Sequence, residues 1–416
     1  MRDVRMRGFA ERADVEEVER FLERCVSALR SEVVPLRECA GRVLARAVSA
    51  EVDVPGFARA AMDGYALRGE DSFGASSYNP LSLEVIGEAL PGRPFPGKLG
   101  PDQAVRIMTG AAVPEGADAV SMAEVCQERD GRVAVNEPVA PRKNVGVVGE
   151  DIRRGEVILQ AGRRLRPQDM GVLASIGAVG VECLRRPRIE LVITGDELLP
   201  AGQRPEGCRI VDSNSVMLGA LVARDGGELL PFEILPDRPE VIRDALARKE
   251  ADVVLVSGGS SVGQEDHAPR VVAELGTLDF HGVAMRPSSP AGCGRIDGRW
   301  IFLLPGNPVS CLCAYEFFAG PAIRALGGRP RAWPHPRVRV PLVRKIASAV
   351  GRTDYVRVAI EDGRARPIAT SGASILSSTV RASGAVIVPR ELEGMPEGAE
   401  VEVLLYDDEP LFEALS

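Results

Sequence analysis

Two segments of the same kind constrain what this chain can fold into. In the first, Ala251-Asp-Val-Val-Leu-Val256 is apolar and β-branched enough to be a fully buried strand. It breaks directly into Ser257-Gly258-Gly259-Ser260-Ser261-Val262-Gly263, a loop of glycines and hydroxyls. In the second, Trp300-Ile-Phe-Leu-Leu304 runs into Pro305-Gly306-Asn307-Pro308 and then into a helix-like run from Val309. Glycines after a buried strand let a ligand approach the backbone closely, with amide N–H groups free to hold an anion. Either loop alone also reads as an ordinary strand-to-helix turn. The pair predicts one α/β site at the carboxyl ends of parallel strands.

The surrounding pattern fits that site into a larger chain. From Arg188, strands and helices alternate: strand Ile189–Ile193, a helix over 213–224, strand Glu228–Leu235 and helix Pro239–Arg248. The central strand and a helix over Ala268–Leu275 follow, an order that predicts a parallel sheet over 187–330. Before it, 51–141 is punctuated by Pro91-Gly, Pro96-Gly and Asp130-Gly131 with strand-like periodicity, a β-rich domain. That segment reads as an insertion between two parts of one elongated linker domain, 1–50 and 142–186. The linker is expected to hold helices from Asp14 to Arg30, with Glu17 completing a capping box, from Leu36 to Val48, and from Pro167 to Ile176. After Pro330 the helices stop, and 331–416 alternates in short β segments, a small terminal β-barrel or sandwich.

Composition enters mainly by exclusion. With 416 residues and a net charge of −8, the balance argues against nucleic acid or an anionic membrane as the main partner. No apolar run of bilayer length and no signal peptide is read, so a cytoplasmic protein is expected. Eight cysteines lack a CxxC pair and there are only three histidines, which speaks against a zinc site. Carboxylates instead gather near the glycine loops: Asp196 and Glu197 past one strand, Asp266 three residues after Gly263, and Asp63 and Asp151 in glycine-containing turns. Carboxylates beside anion-holding loops repel their ligand unless a divalent cation, usually magnesium, bridges the two. The alternatives are local: Asp196 as a helix cap, Asp63 in an Asx-turn.

Taken in order, Ala61-Met-Asp-Gly-Tyr-Ala66, Ile107-Met-Thr-Gly-Ala111, Gly149-Glu-Asp-Ile152, Thr194-Gly-Asp-Glu-Leu198, Asp212-Ser-Asn214, the Ser257–Gly263 loop and Leu304-Pro-Gly-Asn-Pro-Val-Ser310 form an ordered set. The set resembles the molybdopterin molybdenumtransferases, the MoeA-type enzymes, similar also to the E domain of gephyrin. The resemblance runs from about residue 14 to about 405. It implies a multidomain α/β plus β fold, with a MogA-like α/β parallel-sheet domain at its centre. It implies the last step of molybdenum cofactor synthesis, in which adenylylated molybdopterin is cleaved with Mg2+ and molybdate is inserted at the dithiolene. By the resemblance, Asp63, Thr109, Asp151, Glu197 and Asp266 are the catalytic positions, with Glu197 and Asp266 on the metal. Ser257, Gly258, Gly259, Ser260, Ser261, Gly263, Asp212, Asn214, Pro305, Gly306, Asn307 and Pro308 would hold the pterin and phosphate side. Arg286, Ser289, Pro290, Ser310, Arg357 and Ser374 would meet molybdate. A homodimer with shared sites is implied, and contact with other molybdenum cofactor enzymes is a further expectation.

Three segments depart from the family pattern. A Lys-Pro-Gly-Lys-Pro-like run becomes Arg286-Pro-Ser-Ser-Pro290, so Ser289 stands where many members carry a second cation. A Phe-Asp-Asn-Ser run becomes Phe57-Ala-Arg-Ala, losing a carboxylate, and arginines before Gly-Glu-Asp become Gly146-Val-Val148. These bear on the choice of molybdate or tungstate. Two other readings stay open: an adenylyltransferase-like enzyme sharing the glycine loops, and a non-catalytic scaffold of the same fold, as gephyrin's synaptic role suggests.

Overall fold

The computed structural model describes residues 12–258, 267–369 and 372–407. They fall into two compact units: Val33–Ala40 with Leu44–Glu182, and the described parts of 12–32, Gly41–Val43 and Cys183–Ser416.

The first unit is built on a six-stranded sheet. Its order is Ala119–Met122, Gly64–Leu67, Gln103–Ile107, Leu81–Ala89, Arg132–Val135, Cys126–Arg129. Neighbours are antiparallel except Gln103–Ile107 beside Leu81–Ala89. Two-residue alternation splits the side chains between two cores: Val105, Ile107 and Val120 line one, Ala104, Leu83 and Val133 the other. Asp130 and Gly131 both take positive φ, 51° and 75°, and make the tight hairpin their sequence predicts. The helix expected over Leu36–Val48 does not form. Only Leu36–Glu38 turns, as a 3-10 helix. Gly41 sits at φ 75°, and Leu44 spends its N–H on Arg163 and its carbonyl on Gly162. Cys39, Val43 and Leu44 are still buried, so their apolar spacing reflects burial and not a helix.

The second unit holds a seven-stranded mixed sheet. Glu228–Leu229, Arg188–Thr194, Val253–Ser257 and Arg299–Leu304 run parallel. Gly292–Ile296 and Thr277–His281 then add antiparallel, correcting the all-parallel expectation at that edge. The cause is Asp297-Gly298, at φ 50° and 79°, which closes a two-residue hairpin. Pro231 divides the expected Glu228–Leu235 strand into Glu228–Leu229 and Ile234–Leu235. One sheet face packs Val192, Val254 and Leu303 on Ile242 and Val271; the other packs Leu191, Leu255 and Phe302 on Leu218 and Ile323. Helix Pro308–Leu326 is long and apolar enough to cross a bilayer, but 83% of it is buried inside the structure, so it is a core helix. It widens to a π turn at Tyr315–Ala319.

The first helix, Val15–Cys25, stops short of Arg30 and has no side-chain cap, because the Asp14 carboxylate pairs with Arg390 instead. Toward the C-terminus, Arg337–Pro341, Glu400–Leu405, Gly384–Val388, Thr353–Glu361 and Arg364–Ala369 pair in sequence. The Val343 N–H to Ala365 carbonyl bond, 2.9 Å, joins the ends of that path. The strands thus close on a core of Val356, Val358, Val386 and Val403.

Candidate functional site

Register places the first group of residues. Ile193, Ser257 and Leu304 are paired across three parallel strands, so Thr194, Gly258 and Pro305 emerge at one carboxyl edge. Asn214, the first residue of the Asn214–Asp225 helix, donates to Ser257 Oγ at 2.9 Å and to the Gly306 carbonyl at 2.8 Å. One amide thereby ties both glycine loops together. Its own Oδ1 is buried without a partner, as is Thr194 Oγ1. Buried polar atoms are nearly always bonded, so two such atoms without a protein partner at one strand edge are a feature to be explained. Asp212 is buried and accepts from the Ser215 N–H at 3.0 Å, which caps the helix. Pro305 is buried, Pro308 half-buried, and Gly306 and Asn307 are exposed. Burial pushes the neighbouring Cys311 thiol up to about 12, which leaves it inert.

Glu197 is exposed, just past the same strand edge. Asp196 precedes a short strand, Leu198–Leu199, not a helix, so it caps nothing there. Gly259, Ser260, Ser261, Gly263 and Asp266 lie outside the described residues. Among the described residues no group of three or more His, Cys, Asp or Glu side chains converges on a metal position.

A second group surrounds the Arg286-Pro-Ser-Ser-Pro290 loop. Ser288 donates to the Ser310 carbonyl at 2.8 Å, and the Val309 N–H bonds Ala373 at 2.9 Å. These bonds bring the loop, the start of the Pro308 helix and Ser374 into one neighbourhood. Ser374 is exposed, Pro290 half-buried, Ser310 buried, and Ser289 carries a buried, unpartnered Oγ. Arg286 is paired with Asp354, which also holds Ser348 Oγ at 2.8 Å and Arg352 Nε at 3.0 Å. Arg357 is among the largest fully buried side chains of the described residues, 1% exposed within its strand. Arg352, half-buried at the strand's start, shares Asp354 with Arg286. The sequence held one signal for it: an arginine just ahead of a strand keeps its head near solvent.

The third group belongs to the other compact unit. Asp63 Oδ1 accepts both the Thr109 N–H and the Thr109 hydroxyl, each at 2.7 Å. Those bonds hold the Asp63 carboxyl below its ordinary range, first through the backbone N–H and then through the hydroxyl. At neutral pH it is a fixed anion and acceptor, not a proton donor. Gly64 must be glycine, since a Cβ there would lie 1.9 Å from the Ser121 carbonyl oxygen. Asp151 is exposed, its backbone N–H on Val54. Glu150 pairs with Arg59 at 2.6 Å, the arginine that the departed Phe57-Ala-Arg-Ala run brings in.

Comparison with known proteins covers most of the chain. Residues 13–177 match the MoeA N-terminal region (domain I and II), 190–325 a probable molybdopterin binding domain, and 339–406 the MoeA C-terminal region (domain IV). The molybdopterin molybdenumtransferase of Haemophilus influenzae is 32% identical over 92% of this chain and 96% of its own length. The chain belongs to the MoeA family. A putative molybdopterin biosynthesis protein of Methanocaldococcus jannaschii is 33% identical over 95% of the chain and 96% of its own. The solved MoeA protein of Pyrococcus horikoshii OT3 covers 95% of the chain, all of that structure matching, at 34% identity and a TM-score of 0.75. The MoeA family identity accounts for the fold class: α/β and β parts carrying a molybdopterin binding domain between MoeA-specific ends. MoeA enzymes are transferases of molybdenum cofactor synthesis, and the matched ranges include all three groups of side chains described above.

Proposed function

We propose that this MoeA-family chain inserts molybdate into adenylylated molybdopterin with release of AMP. The observation that carries this reading is the shared strand edge where Asn214 ties the Ser257-Gly258 and Pro305-Gly306 loops beside two orphaned buried polar atoms. Loop amides and Thr194, Ser257 and Asn214 would bind and orient the pterin phosphate end. Arg286, Arg352, Ser289 and Ser374 would receive the oxyanion, with Arg286 released from, or shared with, Asp354. The donor chemistry fits Mg2+: it takes one or two carboxylates plus substrate phosphates and keeps several waters, so a dedicated protein cage is not required. Glu197 and Asp266 would hold it, and it would supply charge neutralisation at the phosphoanhydride. Asp63, Thr109 and Asp151 would be the remaining catalytic positions, and the chain would act as a homodimer.

An adenylyltransferase would need only the central α/β part, whereas this chain matches the MoeA N-terminal region over 13–177. The deciding assay supplies adenylylated molybdopterin with Mg2+ and adds molybdate. AMP release that depends on molybdate supports insertion; release of none, with cofactor unchanged, supports the scaffold and rejects the proposal.

Two variants sharpen it. Asp63→Asn keeps an oxygen to accept both Thr109 bonds and removes only the charge. AMP release should fall roughly tenfold to a hundredfold with Tm unchanged. Full activity would remove Asp63 from the reaction. Ser289→Lys places a compact ammonium where the chain has a buried, unpartnered hydroxyl. The molybdate concentration for half-maximal cofactor formation should drop about threefold. An unchanged or higher value in a folded variant would reject a role for charge at 289.

A further inference from the structure

Two departures from the family pattern meet in the fold. Arg59 stands in place of the asparagine of the Phe-Asp-Asn-Ser run, and Gly146 opens the run that has lost its arginines. Far apart in sequence, they face each other: Arg59–Ala60 and Val145–Gly146 pair antiparallel, with Gly146 opposite Arg59. Gly146 has no positive φ, so its backbone would accept an L side chain. Its neighbours would not. A Cβ there would lie 2.7 Å from Glu150 Oε2 and 3.3 Å from Arg59 Cγ. The Arg59 stem and the Glu150 carboxylate occupy the space where a side chain at 146 would begin.

The strand that carries Arg59 also fastens two turns. On one edge the Gly110 N–H donates to the Ala60 carbonyl at 2.8 Å and the Ala60 N–H to the Ala111 carbonyl at 2.9 Å, next to Thr109. On the other, Arg59 Nη2 donates to Glu150 Oε1 at 2.6 Å, while Glu150 Oε2 accepts the Val147 N–H at 3.1 Å. One oxygen of Glu150 thus closes its own turn and the other ties that turn to the strand. The Arg59 hydrogen bond also holds the Glu150 carboxyl below its ordinary range, so it stays an anion at neutral pH. The two side chains are 44% and 35% exposed. A pair so open to water adds little stability, and what it contributes is orientation.

We propose that Arg59 is a positioning residue of the reaction. From the facing strand it supplies the cation that 146–148 lack, and through Glu150 it sets the turn of Asp151 relative to Asp63 and Thr109. This rests on the enzymatic reading above, which makes those three the catalytic positions. A double-mutant cycle tests it, read by AMP release and by hydrogen exchange of the 147–151 amides. Arg59→Asn, the residue of the family run, should lower kcat about tenfold and speed that exchange several-fold, with KM and Tm unchanged. Gly146→Arg alone should crowd Arg59 and Glu150 and lower Tm by about 2–4 °C. The double variant Arg59→Asn/Gly146→Arg should recover about half of wild-type kcat and slow the exchange again. Additive losses in the double variant, or wild-type kcat in Arg59→Asn, overturn the proposal. So does a raised KM at unchanged kcat, which would make Arg59 a binding residue. A wild-type chain that releases no AMP rejects the enzymatic reading, whereas unchanged exchange in Arg59→Asn rejects the clamp itself.

Discussion

Glu316→Gln should cost the second compact unit about 3 kcal/mol at pH 7, a loss that fades in acid. Glu316 is 3% exposed on the π turn of the core helix. Its carboxylate receives Arg224 at 2.6 and 2.9 Å and faces His335 Nε2 at 3.3 Å. His335 Nδ1 lies 3.0 Å from the Leu405 carbonyl, so this charge links the core helix to the last strand. Beside it Asp225, 1% exposed, holds Arg324 at 2.9 Å and the Tyr315 hydroxyl at 3.0 Å. Burial alone would raise the Glu316 carboxyl. The hydrogen bonds from His335 and Arg224 outweigh it and bring the group from 4.5 down to about 2. A depressed carboxyl stabilises the fold above its unfolded value and loses that contribution as pH falls from 4.5 toward 2. Glutamine mimics the protonated acid in shape, so wild type and variant should differ most above pH 5 and converge toward pH 3. Both tryptophans, Trp300 and Trp333, lie in this unit, so urea unfolding followed by their fluorescence reports on it directly. Equal midpoints at pH 7, or a gap that persists undiminished at pH 3, would refute this account.

That network was not legible in the sequence, because its members come from separate stretches around 224, 316, 324 and 335 and none has a diagnostic spacing. The strands and glycine loops were legible, since burial on both faces demands continuous apolar runs and turns demand positive φ. Asp130-Gly131 reads as a turn in the sequence and is one in the fold. Asp297-Gly298 has the same chemistry, but the alternating strand–helix pattern around it points only to parallel strands. Arg352 and Arg357 are five residues apart and identical in type; only the fold decides that one stays near solvent and the other goes inside. The order of motifs located the strand-edge cluster, whereas the Arg286–Asp354–Arg352 arrangement required coordinates.

Gly258→Ala should be among the most damaging single changes at the strand edge, while Gly306→Ala, in the sister loop, should be tolerated. From sequence the two glycines look equivalent, each following a buried strand. Gly258 has φ 100°, a conformation that an L side chain rarely adopts. A Cβ there would also lie 2.3 Å from the Thr194 carbonyl oxygen and 2.9 Å from its hydroxyl. Thr194 ends the strand paired along its length with Val253–Ser257, so its backbone has little freedom to retreat. Conformational strain and the clash together should cost about 3 kcal/mol or more. They would also displace Ser257, the residue that Asn214 bonds. At Gly306 the nearest atom to an added Cβ is the Gly258 Cα at 3.7 Å, an ordinary contact, and φ is not positive. Gly306→Ala should therefore shift stability by less than about 1 kcal/mol. The pair also separates structural from ligand effects. If a ligand phosphate approaches the Pro305-Gly306 backbone closely, Gly306→Ala should raise the KM for adenylylated molybdopterin several-fold at unchanged Tm. A Gly258→Ala protein as stable as wild type would mean that the strand edge yields where its geometry says it cannot.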